Sequence, residues 1–132
     1  MASTVLFGSL VSEQAEQLKK RTRRLALDII QMIKLLPALE PGPTIRRQLA
    51  KSATSMDMNY RASCRARSHA EFTAKIGVVA EEADETAEWL DVIAGGRLVT
   101  FPGLLQLRKE SRELLAIFSA SVGTARRKER SR

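Results

Sequence analysis

The side chains best suited to chemistry in this sequence are one histidine, one cysteine and a group of closely spaced carboxylates. His69 lies five residues after Cys64, so the two could form a nucleophile and its general base. No third residue is placed to orient the histidine, and a lone histidine lacks the several partners of a metal site. We therefore expect neither a catalytic residue nor a metal ligand here.

Acidic side chains are concentrated between residues 68 and 93, where seven acids accompany a single lysine. Pairs such as Glu81 and Glu85 are four residues apart, as in helical bundles that bind metal ions. A di-iron bundle, however, needs inward-facing Glu-x-x-His motifs, and the sequence contains none. It also lacks a glycine-rich phosphate loop. The sequence thus predicts no enzyme and no cofactor, and the acids are assigned to a solvated or subunit-contacting helix face.

Lysine and arginine form the more informative clusters, and the chain carries a net charge of +7. One cluster lies in the first predicted helix, a second opens the next helix and a third closes it. Such side chains bind phosphate through charge and, for arginine, through paired hydrogen bonds. The candidate nucleic-acid-binding residues are Lys19, Lys20, Arg21, Arg23, Arg24, Arg46, Arg47, Lys51, Arg61, Arg65 and Arg67.

Two functions are compatible with these charges. Few aromatic residues accompany the basic clusters, so we expect recognition of the RNA or DNA backbone and its shape rather than stacking on bases. The sequence preference of such binding is modest. The alternative is a structural or assembly protein whose charges serve subunit packing, with the acidic third helix against a basic neighbour.

The hydrophobic pattern predicts the elements that carry these residues. Apolar residues recur at spacings of three and four in four segments, which is typical of amphipathic helices. The longest regular stripe consists of Phe72, Ile76, Val79, Ala83, Thr86, Leu90 and Ile93. The predicted helices span about residues 12–36, 44–65, 69–94 and 101–123. Short connections between helices of this length predict an all-α, antiparallel, up-down-up-down four-helix bundle.

Helix boundaries are indicated by capping and breaking residues. Pro37 ends the first helix, because proline lacks the amide hydrogen and restricts the residue before it. The hydroxyl of Thr44 is expected to cap the second helix. Ser68 and Glu71 have the spacing of a capping box at the start of the third. Gly95-Gly96 is expected to supply a left-handed stop at its end.

The 132 residues suffice for one domain, which we place at residues 12–122. The basic residues 123–132 are expected to form a disordered tail. One cysteine excludes an internal disulfide, and no apolar run approaches the roughly 18 residues of a membrane span. We expect a cytoplasmic protein without a membrane partner. Because the fourth helix is apolar on more than one face, we also expect a homo-oligomer.

Residues of the second and third helices match the pattern of a known family. The second helix and its end contain Ile45-Arg46-Arg47-Gln48-Leu49-Ala50-Lys51-Ser52-Ala53, then Ser55, Asn59, Arg67-Ser68 and Glu71-Phe72. The third contains Glu82-Ala83-Asp84-Glu85-Thr86-Ala87-Glu88-Trp89-Leu90. Across about residues 15–122 the chain resembles the bacterial four-helix bundle proteins associated with intervening sequences of 23S ribosomal RNA genes. It departs from them at Ser63-Cys64, where the family pattern has Glu-Gly.

The resemblance implies an assembly and a class of partner. Members of this family form homo-oligomeric bundles, commonly rings of five subunits. Relatives include the basic accessory proteins of diversity-generating retroelements, which bind nucleic acid and work with a reverse transcriptase. We accordingly expect a homopentamer that binds RNA or DNA, with a reverse transcriptase as a further expected partner.

Overall fold

The computed structural model describes the backbone of residues 2–131 and the side chains of residues 13–131. Its four helices are α1 (Ala2–Ile33), α2 (Gly42–Cys64), α3 (His69–Gly95) and α4 (Leu104–Arg130). Each helix packs against the next one in the chain, and α1 packs only lightly against α4. The predicted all-α, up-down-up-down four-helix bundle is confirmed. None of the described helices combines the length and apolar composition needed to cross a membrane.

One core lies along the bundle axis where the predicted stripes meet. Its largest fully buried side chains are Leu25, Ile29, Met32, Ile45, Leu49, Met56, Ile76, Val79, Leu90, Ile93, Leu114 and Phe118. The rings of Tyr60 and Phe118 join α2 to α4, with their centroids 5.1 Å apart. Two buried polar members of the stripes are paired, since the Thr86 hydroxyl donates to the Ser52 hydroxyl at 2.9 Å. Burying these two groups together leaves neither without a hydrogen-bond partner.

The starts of α2 and α3 test the predicted caps. The predicted cap at Thr44 is wrong, because Pro43 lies in the first turn and the helix already begins at Gly42. The Glu40 carboxylate instead accepts from the Thr44 amide at 3.0 Å, and this hydrogen bond lowers the pKa of Glu40. At the start of α3 the Ser68 hydroxyl caps the helix as predicted, accepting from the Glu71 amide at 3.0 Å. The Glu71 carboxylate, however, accepts from the Arg67 amide at 3.1 Å and not from that of Ser68, so only half of the predicted capping box forms.

The end of α3 differs from the predicted glycine stop. Gly96 has a right-handed φ of −81°, and the left-handed residue is Arg97, with φ of +53°. The amides of Arg97 and Leu98 donate to the carbonyls of Ala94 and Ile93, at 3.2 and 3.1 Å. These two hydrogen bonds form a Schellman motif, so the left-handed position falls one residue after the glycine pair.

Glycine at position 97 is expected to stabilise the protein. An arginine in the left-handed region is strained by its Cβ, and the entropy of glycine in the unfolded chain offsets only part of that strain. We expect Arg97→Gly to raise the free energy of unfolding by about 0.5–1 kcal/mol. Urea denaturation followed by circular dichroism measures the change, and Arg47→Gly in the first turns of α2 is expected to have the opposite sign.

The outer boundaries of α1 and α4 also differ from prediction. α1 begins at Ala2 rather than at residue 12. It ends at Ile33, where the amides of Leu35 and Leu36 donate to the carbonyls of Met32 and Ile33 in a turn that precedes Pro37. α4 continues to Arg130, so residues predicted to be a disordered tail are helical. Val122 and Ala125 are buried and extend the stripe of Phe118 by one more turn. Their burial explains why the helix does not stop at residue 123.

Candidate nucleic-acid interface

The basic cluster of α1 does not form one surface, because its members turn to different neighbours. Arg21 faces α4, where its guanidinium binds both oxygens of Glu110 at 2.9 and 2.6 Å and lies 3.0 Å from Glu113. The hydrogen bonds to Glu110 raise the pKa of Arg21. This paired contact joins α1 to α4, so Arg21 has a structural role.

A buried carboxylate between α1 and α2 holds two more of the candidates. The Asp57 side chain is 2% exposed and binds the guanidinium groups of Arg23 and Arg61. It also accepts from the Thr22 hydroxyl at 3.1 Å. Arg61 in turn donates to the Lys19 carbonyl at 3.3 Å. We call Thr22, Arg23, Asp57 and Arg61 the Asp57 cluster, and its two arginines neutralise a charge that burial would otherwise disfavour.

The Asp57 cluster was not predicted from the sequence. The available signal was weak: Asp57 is the only acid between residues 44 and 67, it follows the stripe residue Met56, and Arg61 lies four residues later. The remaining α1 candidates lie at the surface. Lys19 pairs with Glu16 at 2.9 Å. Arg24 pairs with Asp28, also at 2.9 Å, and Lys20 makes no ion pair with a described side chain.

The cluster that opens α2 lies at the end of the bundle where α1 stops. Arg46 donates to the carbonyls of Ile33 and Leu36, at 3.2 and 3.0 Å, and so satisfies backbone groups at the end of α1. Arg47 and Lys51 are exposed on the following turns. These three residues lie in the first turns of α2, so they are far from Arg65 and Arg67, which follow the other end of this helix.

Arg65 and Arg67 lie at an end of the bundle that gathers cations from three helices. With Lys75 of α3 they line one cleft, which also contains Glu71. The last turns of α4 reach the same end, since His69 Nε2 is hydrogen-bonded to the Ala125 carbonyl at 2.9 Å. We call the cations there the basic end: Arg65, Arg67, Lys75, Arg126, Arg127, Lys128 and Arg130.

The basic end is open to an external anion. None of its seven cations forms an ion pair with another described side chain, and all except Lys75 are exposed. Glu71 and Glu129 are the acids interspersed with them. Arg65 and Arg67 are among the residues predicted from the sequence, whereas the α4 cations lie in residues 123–132, for which a disordered tail is predicted. The spacing from Phe118 to Val122 and Ala125 was the signal that the helix continues.

The fold has a counterpart among solved structures. A crystal structure from Bacteroides thetaiotaomicron VPI-5482, described as a protein with unknown function from the S23 ribosomal protein family, is similar to this chain. The two are 24% identical, with a TM-score of 0.70, over 79% of this chain and 96% of that chain. At this identity the likeness shows the shared fold alone. No protein-family model matches this chain, and no curated protein does.

The possible nucleophile pair of Cys64 and His69 is not assembled. His69 Nε2 is used by the Ala125 carbonyl, while Cys64 is exposed at the end of α2. The thiol lies beside Tyr60, whose pKa is raised chiefly by burial and further by Cys64. Among the side chains of residues 13–131, no three of the histidine, cysteine and carboxylate type are grouped so that they could hold a metal ion.

The acidic residues of α3 divide between two environments. Asp91 binds Arg108 and Arg112 of α4. Partial burial acts to raise the pKa of Asp91, but the hydrogen bonds from these two arginines lower it below its usual value. Glu81 and Asp84 are exposed and make no ion pair with a described side chain. The charges near α4 therefore serve packing within the bundle, and those on the outer face of α3 point away from it.

Proposed function

We propose that this chain is a non-enzymatic nucleic-acid-binding protein that contacts the phosphate backbone with its basic end. The observation that carries the proposal is the group of seven cations there without an ion-pair partner among the described side chains. Lysine and arginine in such a group bind phosphates and release condensed counterions, which makes the affinity strongly dependent on salt. RNA and DNA are both suitable ligands, because both have the phosphate backbone that the cations contact. Such contacts carry little sequence information.

The internal ion pairs support the basic end over the other candidates. Arg23 and Arg61 are held by a buried carboxylate, and Arg21 is held by two glutamates. A phosphate would have to compete with these carboxylates, whereas no carboxylate among the described side chains forms an ion pair with a cation of the basic end. Lys20 and the exposed pair Arg47 and Lys51 remain as secondary contacts along the bundle.

We further propose that the chain acts as a homo-oligomer, with a pentameric ring favoured. The resemblance of its α2 and α3 motifs to the 23S rRNA intervening-sequence proteins supports this. Val78 and Val92 are exposed on the outer face of α3 beside Glu81 and Glu85, a surface suited to a neighbouring subunit. The process we propose is association with rRNA intervening sequences or assistance to a reverse transcriptase.

A salt titration of the whole protein tests the nucleic-acid part of the proposal. Fluorescence anisotropy with labelled RNA and DNA duplexes is expected to show binding at low ionic strength, with log Kd rising linearly with log salt concentration. If most of the basic end contacts phosphates, the slope is expected to be about 4–6 for a duplex. Absence of binding to every duplex and single strand at about 20 mM salt would overturn the proposal.

The exposed acids of α3 favour one alternative, a structural or assembly protein without nucleic-acid binding. Burial, followed by the charge of Glu85, raises the pKa of Glu82, and Lys51 opposes that shift. Such a crowded acidic face would gain from a basic neighbouring subunit. Sedimentation of the same samples discriminates the two functions: a stable oligomer that binds no nucleic acid at low salt supports the assembly role.

A further inference from the structure

A cleft next to the basic end has the composition of a binding site for an aromatic group. It lies between the first turn of α3 and the last turns of α4, with a volume of about 360 Å³. This volume lies in the lower part of the range for small-ligand pockets, which is roughly 300–1,000 Å³. Its lining residues are His69, Phe72, Ala120, Ser121, Thr124, Ala125 and Lys128.

Two rings on α3 form one wall of the cleft. The centroids of His69 and Phe72 are 6.4 Å apart, with an angle of 39° between the ring planes. His69 is fixed by its hydrogen bond to the Ala125 carbonyl, and Phe72 is half-buried against the core. A planar ligand that enters the cleft therefore meets aromatic surface already held in place, which reduces the entropy lost on binding.

The opposite wall, on α4, offers polar groups and a cation. The Ser121 hydroxyl donates to the Ile117 carbonyl at 3.0 Å, so its oxygen can still accept a hydrogen bond. The Thr124 hydroxyl accepts from Arg127 at 3.2 Å, so its own proton can be donated. Lys128 lies at the boundary with a second cleft, formed with Arg127 and Ser131. Donor, acceptor and positive charge thus lie around an aromatic wall.

We propose that this cleft holds one unpaired base of a single-stranded nucleic acid, packed against the rings of Phe72 and His69, with the adjoining phosphate on Lys128. The inference rests on the proposed function. The positive charge beside the rings favours a base of a nucleic-acid strand as the occupant, because such a base is a planar aromatic group with a backbone phosphate next to it. The second cleft, with Arg127, continues the path for the backbone. Composition predicted no base stacking, but the fold places the aromatic pair next to cations that are distant in sequence.

A strand without bases provides the direct test. We expect the whole protein to bind an oligothymidylate of about 12 nucleotides roughly tenfold more tightly than an abasic strand of equal length. The two strands carry the same phosphates, so their affinity ratio, measured by anisotropy, reports the base. Phe72→Leu keeps an apolar side chain but removes the ring, and Ala120→Leu fills the cleft from an exposed position. Each is expected to bring the ratio close to one, with binding of duplex unchanged.

A control variant and two outcomes make the test decisive. Phe101→Leu removes a partly buried ring at the opposite end of the bundle and is expected to leave the ratio unchanged. If the wild type binds both strands equally, in a salt-dependent manner, the inference is wrong and the proposed function stands. If it binds neither strand nor duplex at low salt, both are wrong. Should Phe72→Leu unfold the protein, Ala120→Leu decides, because Ala120 is exposed.

Discussion

Replacing Arg23 and Arg61 together by methionine is expected to lower the free energy of unfolding by about 3–5 kcal/mol, because it leaves a buried carboxylate without a counter-charge. Asp57 is 2% exposed, and these two arginines are the cations bound to it. Either single replacement is expected to have a smaller effect, since one guanidinium remains. Urea denaturation followed by circular dichroism measures the change.

A third substitution separates loss of the pair from loss of packing. Adding Asp57→Asn to the double variant removes the unpaired charge at nearly constant volume, and we expect it to recover most of the lost stability. Replacing Arg47 and Arg65 by methionine is the matched control, since both are exposed and neither forms an ion pair among the described residues. A loss below about 1 kcal/mol in the double variant, without recovery in the triple, would contradict a structural role for the Asp57 cluster.

The second large effect is expected on nucleic-acid affinity. Replacing Arg65, Arg67, Arg127 and Lys128 by glutamine removes four of the seven cations of the basic end. If all four contact phosphates, the salt slope for duplex is expected to fall by about 3–4, and the affinity at about 0.1 M salt by on the order of 100- to 1,000-fold. Anisotropy over a range of salt concentrations measures both quantities.

A control with the same change in charge distinguishes a local site from general attraction. Lys34, Arg47, Lys51 and Lys109 are exposed, lie toward the opposite end of the bundle and form no ion pair with a described side chain. Their replacement by glutamine is also expected to lower the affinity, but the fold-change is expected to be less than a tenth of the fold-change at the basic end. Equal losses in the two variants would show that net charge alone drives binding.

The charge clusters of the sequence and the basic end share Arg65 and Arg67 but differ in their other cations. The run Lys19 to Arg24 is the densest basic segment in the sequence, yet Arg21 and Arg23 are committed to Glu110 and Asp57. On a helix, neighbouring residues point in different directions, so density along the chain does not define a surface. Helix contacts decide which of these cations remain available to a partner.

The sequence by itself determined the four helices, their antiparallel order and most of the core. The spacing of apolar residues is a local property of each helix, so the stripes of α2 and α3 could be read directly. The exact helix boundaries could not be read from the sequence, because tertiary contacts set them. Ala125 keeps α4 helical beyond residue 123, and Arg97 takes the left-handed conformation next to the glycine pair.

Only the tertiary structure decided which chemical groups act together. The Asp57 cluster joins Thr22 and Arg23 of α1 to Asp57, which lies 34 or more positions later, and the cleft joins Phe72 to Lys128. No periodicity encodes such pairings, since they depend on how two helices are aligned when their cores pack. The basic end, likewise, emerged only when α4 was placed beside the start of α3.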